Sequence, residues 1–88
     1  MTQTQLSAAI HRIAEMERIF DTLTAHKDGA ARHSAVFHAL LRRLQRYYEG
    51  GQWLRDYRLD EAGLLPRHLK RGVLSEDGVY NLLTELDR

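Results

Sequence analysis

The chain has no cysteine, so it can form neither a disulfide nor a thiolate metal site. It has one proline, Pro66, and six glycines, three of them in the stretch from Trp53 to Leu83, and no low-complexity segment. No apolar run approaches the roughly 18 residues that a membrane-spanning helix needs. The N-terminal residues Met1 to Arg12 lack a basic start followed by an apolar core, so no secretion signal is expected. No sign of charge dominates: the formal net charge is +1, which gives no global bias toward nucleic acid or anionic membrane. These absences lead to the expectation of a soluble, cytoplasmic protein.

What is present is helical periodicity. Eighty-eight residues suffice for one domain, expected over 1–88, although a chain this short buries only about 60–65% of its unfolded surface. Leu6, Ala9, Ile13, Met16, Phe20 and Leu23 recur at steps of three and four, one stripe of a helix predicted over residues 4–26, with Thr4 as its cap. Lys27, Asp28 and Gly29 break it. A second helix is predicted over residues 30–49, its stripe made of His33, Phe37, Leu40, Leu44 and Tyr47. Arg42, Arg43 and Arg46 complement the dipole at its end, and Gly50-Gly51 offers left-handed cap geometry. Joined by a short turn, the two should form a long antiparallel helical hairpin over residues 4–49.

A hairpin alone leaves its apolar stripes open, so residues 52–88 are read as the segment that closes it. Trp53, Leu54 and Tyr57 predict a short helix over residues 52–61, stopped by Gly63. Pro66 disfavours helix at Leu65 and can open a short helical turn over residues 67–70, which Gly72 would end. Ser75 is a candidate N-cap, and Glu76 and Asp77 load the first turn of a last helix over residues 76–87. That helix would bury Val79, Leu82, Leu83 and Leu86. The expected fold is therefore all-α: the hairpin, a short helix, an ordered Pro/Gly loop and a C-terminal helix.

The strings Asp56-Tyr57, Asp60-Glu-Ala-Gly-Leu-Leu-Pro66, Leu69-Lys-Arg-Gly-Val-Leu-Ser-Glu-Asp77 and Tyr80-Asn-Leu-Leu83 resemble a family of small bacterial proteins. That family is known only as a domain of unknown function, number 4298 in its series. The resemblance covers roughly the last 40 residues closely; the N-terminal helices match it in kind, through Met16-Glu-Arg-Ile19 and the Tyr47-Tyr48 pair. It implies a bacterial source and an all-helical fold, and no activity. Gly78 departs from the pattern, where a better helix former is expected, since glycine costs roughly 0.5–1 kcal/mol in a helix interior.

The residues support no catalytic, cofactor or metal site. His11, His26, His33, His38 and His68 include no pair spaced for a metal, and no His-Glu-x-x-His pattern occurs. Ser75 is explained as a cap without nucleophilic chemistry. Asp56 and Asp60 share a helix face and could form a carboxylate pair, but are better read as anchors for Lys70 and Arg71. With Trp53, Pro66, Gly72, Ser75 and Tyr80 they form the expected structural anchor of the closing segment. Arg42, Arg43, Arg46, Arg67, Lys70 and Arg71 are the candidate anion or partner surface. Trp53, Tyr47, Tyr48 and Tyr57 are read as core or rim aromatics rather than platforms for nucleobases. The favoured function is a non-catalytic module that binds a protein partner or its own copy, because Ile10, Ile19, Val36 and Leu41 lie just off the main stripes and could form an apolar contact patch. The alternative is a nucleic-acid or phosphate-binding accessory protein that uses the basic surface. An enzyme would require Asp56, Asp60, His68 and Tyr80 to meet in one deep pocket.

Overall fold

The computed structural model describes residues 1–87. Helix α1 spans Gln3–His26 and buries Ala9, Ile13, Met16, Glu17, Ile19 and Leu23. Its cap is Thr2 rather than Thr4. The Thr2 hydroxyl accepts the Gln5 N–H at 3.1 Å, and the Gln5 side chain accepts the Thr2 N–H at 2.9 Å, a reciprocal capping box that satisfies two otherwise orphaned donors. The break at residues 27–29 falls where expected, although Gly29 is extended (φ −107°, ψ 179°) and makes no left-handed turn.

The second helix begins later than its periodicity implies. Residues Ala30–His33 form a separate 3-10 turn, and α2 spans Ala35–Glu49. Ser34 divides them: extended backbone lets its hydroxyl accept the Phe37 N–H at 3.1 Å, so it caps α2 instead of continuing a helix through it. His33, assigned to the apolar stripe above, is consequently exposed. Phe37, Leu44 and Tyr47 are the buried residues of α2. Glu15 pairs with Arg43, while Arg12 and Tyr47 meet through Asp56. Partners therefore climb α2 as one descends α1, as in an antiparallel pair.

Helix α3, Gln52–Glu61, has the predicted bounds and starts from the left-handed Gly51 (φ +95°). It ends in a Schellman motif. Leu64 N–H bonds to Leu59 O at 3.1 Å and Gly63 N–H to Asp60 O at 3.0 Å, around Gly63 at φ +72°. The Pro66 stretch is a single turn, closed by Leu69 N–H on Pro66 O at 3.2 Å, not a helical segment. Gly72 does not end that turn; it starts a 3-10 turn, Gly72–Leu74, in which Val73 and Leu74 are buried. This three-residue turn contacts α1, α3 and α4 and is the hub of the closing segment.

Helix α4 spans Gly78–Leu86, two residues shorter at its start than expected. Ser75 is exposed and does not cap it; Asp77 holds the cap position without a side-chain bond, and residues 76 and 77 form a turn ahead of the helix. Leu65, Val73, Leu74, Val79 and Leu82 join Ile13, Leu23, Phe37 and Leu44 in one hydrophobic cluster. The apolar residues expected to flank the stripes mostly join it too. Ile19 is buried, Ile10 and Leu41 pack on the cluster, and Val36 alone is strongly exposed, at 70%. No helix among the described residues is long and apolar enough to cross a membrane.

Candidate functional site

Asp56 accepts three side-chain hydrogen bonds. It is fully buried on α3, where its Oδ1 accepts Arg12 Nη2 at 2.6 Å and its Oδ2 accepts Arg12 Nε at 3.0 Å and the Tyr47 hydroxyl at 2.7 Å. One carboxylate thus ties α1, α2 and α3 together. The hydrogen bond to Asp56 raises the Arg12 pKa above its already high value. Burial, reinforced by the bond to Asp56, pushes the Tyr47 phenol well above the ordinary tyrosine range. The expected pairing of Asp56 with Lys70 or Arg71 is therefore incorrect: Arg12, on α1, provides a bidentate partner that fits the planar carboxylate. Asp60 does pair with Arg71, at 2.6 Å, and pins the loop to α3 as anticipated. The two acids are divided between separate cations, so they form no carboxylate pair for acid–base chemistry.

Sequence reasoning passed over Glu17. It is buried, and its Oε1 accepts the Val73 N–H at 2.6 Å. The signal was available, because Glu17 lies four residues after Ile13 and seven after Ile10, on the apolar face of α1. Trp53 Nε1 donates to the Val73 carbonyl at 2.8 Å, so side chains from α1 and α3 satisfy both backbone groups of one hub residue. Gly72, next to it, lies against the Glu17 carboxylate. Of the residues read as structural anchors, Trp53 and Gly72 lie at this hub, and the Pro66 carbonyl closes the loop turn. Ser75 and Tyr80 are not anchors. Ser75 is exposed, and Tyr80 projects 58% of its surface because α4 directs Val79 and Leu82 inward.

The basic surface is divided. Arg43 is held by Glu15, which this bond keeps below the usual glutamate pKa, and Arg71 by Asp60. Arg42, Arg46, Arg67 and Lys70 remain exposed. Lys70 and His68 border a cleft with Glu17, Arg18 and Asp21 rather than with the α2 arginines. Asp56, His68 and Tyr80 line three different clefts. Among the described residues, no group of three or more His, Asp or Glu side chains could hold a metal, and no buried side-chain nitrogen or oxygen lacks a partner.

Two surfaces are left. The first is an aromatic band. Trp53 stacks on Tyr57 with ring centres 5.1 Å apart, Tyr48 meets the edge of Trp53 at 5.0 Å, and Tyr48 shares a groove with Tyr80 and Leu83. Tyr48, Trp53 and Tyr57 are half-buried and Tyr80 is exposed. Carboxylates border the band: Glu49 and Asp87 line the groove, while Glu61 foremost, then Glu76 and Asp60, raise the Tyr57 pKa. The second surface is a cleft of about 510 Å³ between the start of α1 and α3, lined by the apolar Met1, Ala8, Ala9 and Leu59, by Gln5, by the cations Arg12, Arg55 and Arg58, and by the buried Asp56.

No curated protein and no solved structure matches this chain. The family model described as Domain of unknown function (DUF4298) matches residues 13–88, which take in the Glu17–Val73 hub, the Asp56 carboxylate and the aromatic band, and the chain belongs to that family.

Proposed function

We propose that this chain is a non-catalytic protein-binding module whose contact surface is the band of Tyr48, Trp53, Tyr57 and Tyr80. The observation that carries the reading is that three of the four tyrosines and the single tryptophan lie in one partly exposed strip. Tyrosine and tryptophan bring large, stiff, amphipathic area to an interface at low entropic cost, and they dominate binding hot spots. The groups that catalysis would need are already engaged: Asp56 by Arg12 and Tyr47, Asp60 by Arg71, Glu17 by the Val73 N–H. The acidic rim argues against nucleic acid on this strip, since phosphates would meet Glu49, Glu61 and Glu76. It suits a partner that presents basic residues, or the exposed Arg42 and Arg46 of a second copy.

Photo-crosslinking tests this reading. A benzoylphenylalanine placed at Tyr80 should form a discrete adduct, with a second copy or with one partner protein, while the same probe at exposed Thr4 should not. A chain that sediments as a monomer at all concentrations and gives no Tyr80 adduct contradicts it.

A further inference from the structure

The cleft between α1 and α3 has an unbalanced charge. Three cations elsewhere are each paired with one acid: Lys27 with Glu85, Arg43 with Glu15, Arg71 with Asp60. Here Arg12, Arg55 and Arg58 line one space with Asp56 as their only carboxylate. That carboxylate is fully buried, and both of its oxygens are occupied by Arg12 and Tyr47. Asp56 holds Arg12 through the Nε and Nη2 edge, which fixes the guanidinium and leaves its Nη1 edge free of that pairing. Arg55 and Arg58 are exposed on α3 and enter no ion pair among the described residues.

Of the remaining lining residues, Gln5 is polar and uncharged, and Met1, Ala8, Ala9 and Leu59 are apolar, with Ala8 and Ala9 leaving room where larger side chains would close the space. A cleft of about 510 Å³ falls within the range of small-molecule sites, where a few fixed polar groups orient a ligand whose remaining surface is apolar. A guanidinium offers N–H groups in the fork geometry that carboxylate and phosphate oxygens match.

We propose that this cleft binds a small amphiphilic anion, with its carboxylate or phosphate head on Arg12, Arg55 and Arg58 and its short apolar body along Ala8, Ala9 and Leu59. The site is separate from the aromatic band and stands or falls independently of the protein-binding reading.

The test is a two-dimensional amide NMR titration of the full chain with octanoate, octyl phosphate, octanol and inorganic phosphate. Octanoate or octyl phosphate should shift the Ala8, Ala9 and Leu59 amides saturably, and the more effective of the two identifies the head group. Octanol and inorganic phosphate should bind at least tenfold more weakly than that ligand, because each lacks one half of the recognised chemistry. The double variant Arg55→Gln/Arg58→Gln, which alters exposed side chains and should leave the rest of the spectrum unchanged, should weaken binding at least tenfold. Absence of a saturable shift with either amphiphile, octanol or phosphate matching them, or wild-type affinity in the double variant would each overturn the proposal.

Discussion

Glu17 on α1 accepts the backbone N–H of Val73 at 2.6 Å, a contact between residues 56 positions apart. The 3-10 turn Gly72–Leu74 is too short to satisfy its own backbone, and its burial removes water as a partner. Glu17 and Trp53 supply what the turn lacks. Glu17→Ala should therefore cost about 1–3 kcal/mol, the penalty for a buried donor left without an acceptor. Glu17→Gln keeps an acceptor oxygen and should cost less. Gly72→Ala would place a methyl 3.1 Å from Glu17 Oε2, and that side chain is held by Val73 and cannot move aside, so a loss of about 1 kcal/mol is expected. Urea midpoints of the three variants check this order.

The Asp56 network should be the costliest to break. Asp56→Ala leaves Arg12 and the buried Tyr47 hydroxyl without their shared acceptor and should lose about 3 kcal/mol, at the lower end for a buried pair because Arg12 is partly wet. Arg12→Gln should cost a similar amount, since it leaves Asp56 as a buried, half-paired charge. Because Arg12 acts here through the Asp56 carboxylate that it shares with Tyr47, the Asp56→Ala/Arg12→Gln double variant should lose clearly less than the sum of the single losses. Additive losses in chemical denaturation would contradict the shared role.

Gly78 looks misplaced by helix propensity and is explained by space. A Cβ there would lie 2.4 Å from Ser75 Oγ, 3.3 Å from the Gly72 carbonyl and 3.3 Å from the Phe20 ring. Gly78→Ala should therefore destabilise the protein by about 1 kcal/mol even though alanine gains roughly 0.5–1 kcal/mol in propensity. Ser75→Ala removes the closest atom, so Gly78→Ala should cost less in that background. A double-mutant cycle by thermal unfolding measures the coupling.

Tyr47 sets an alkaline limit. In the unfolded chain its phenol ionises near pH 10, whereas burial and the bond to Asp56 raise its pKa in the fold. Above about pH 10 the unfolded state therefore holds fewer protons than the folded state, and stability falls as pH rises. Below that value the contribution is present in full. Lys27, bound to Glu85, and Tyr57, facing Glu61, are shifted in the same direction but are half-exposed to water, which screens much of their effect. Tyr47→Phe should be less stable at neutral pH, by about 1.5–3 kcal/mol for a lost hydrogen bond to a charged group, and its stability should fall less steeply above about pH 10. Denaturation midpoints across that pH range give both slopes.

Much of the architecture was legible because it is local. The three-four spacing of α1, the Gly63 stop of α3 and the Gly51 start are written in neighbouring residues. The Asp60–Arg71 tie, eleven positions apart, was also within reach. The Arg12–Asp56 pair was not, since 44 residues separate the partners and nothing in the spacing of either helix selects one arginine from several. Ser34 was lost because the apolar period continues through it, so its capping preference was outvoted. Tyr80, expected as an anchor, adjoins the buried Val79, yet on a helix adjacent residues point about 100° apart, and it faces outward. Of the two surfaces, the aromatic band was legible as a rim, whereas the arginine cleft needed the packing of α1 against α3 to appear.

The segment after Gly51 closes over the helix pair through the Gly72–Leu74 hub. Native-state hydrogen exchange at the Val73 amide tests it most directly. If the hub seals the core, Val73 should be protected and should exchange with the same opening free energy as the Ile13 and Leu23 amides of α1, that is, only on global unfolding. A Val73 amide that exchanges freely while Ile13 and Leu23 remain protected would show that the helices hold together without the closing segment and would contradict the account.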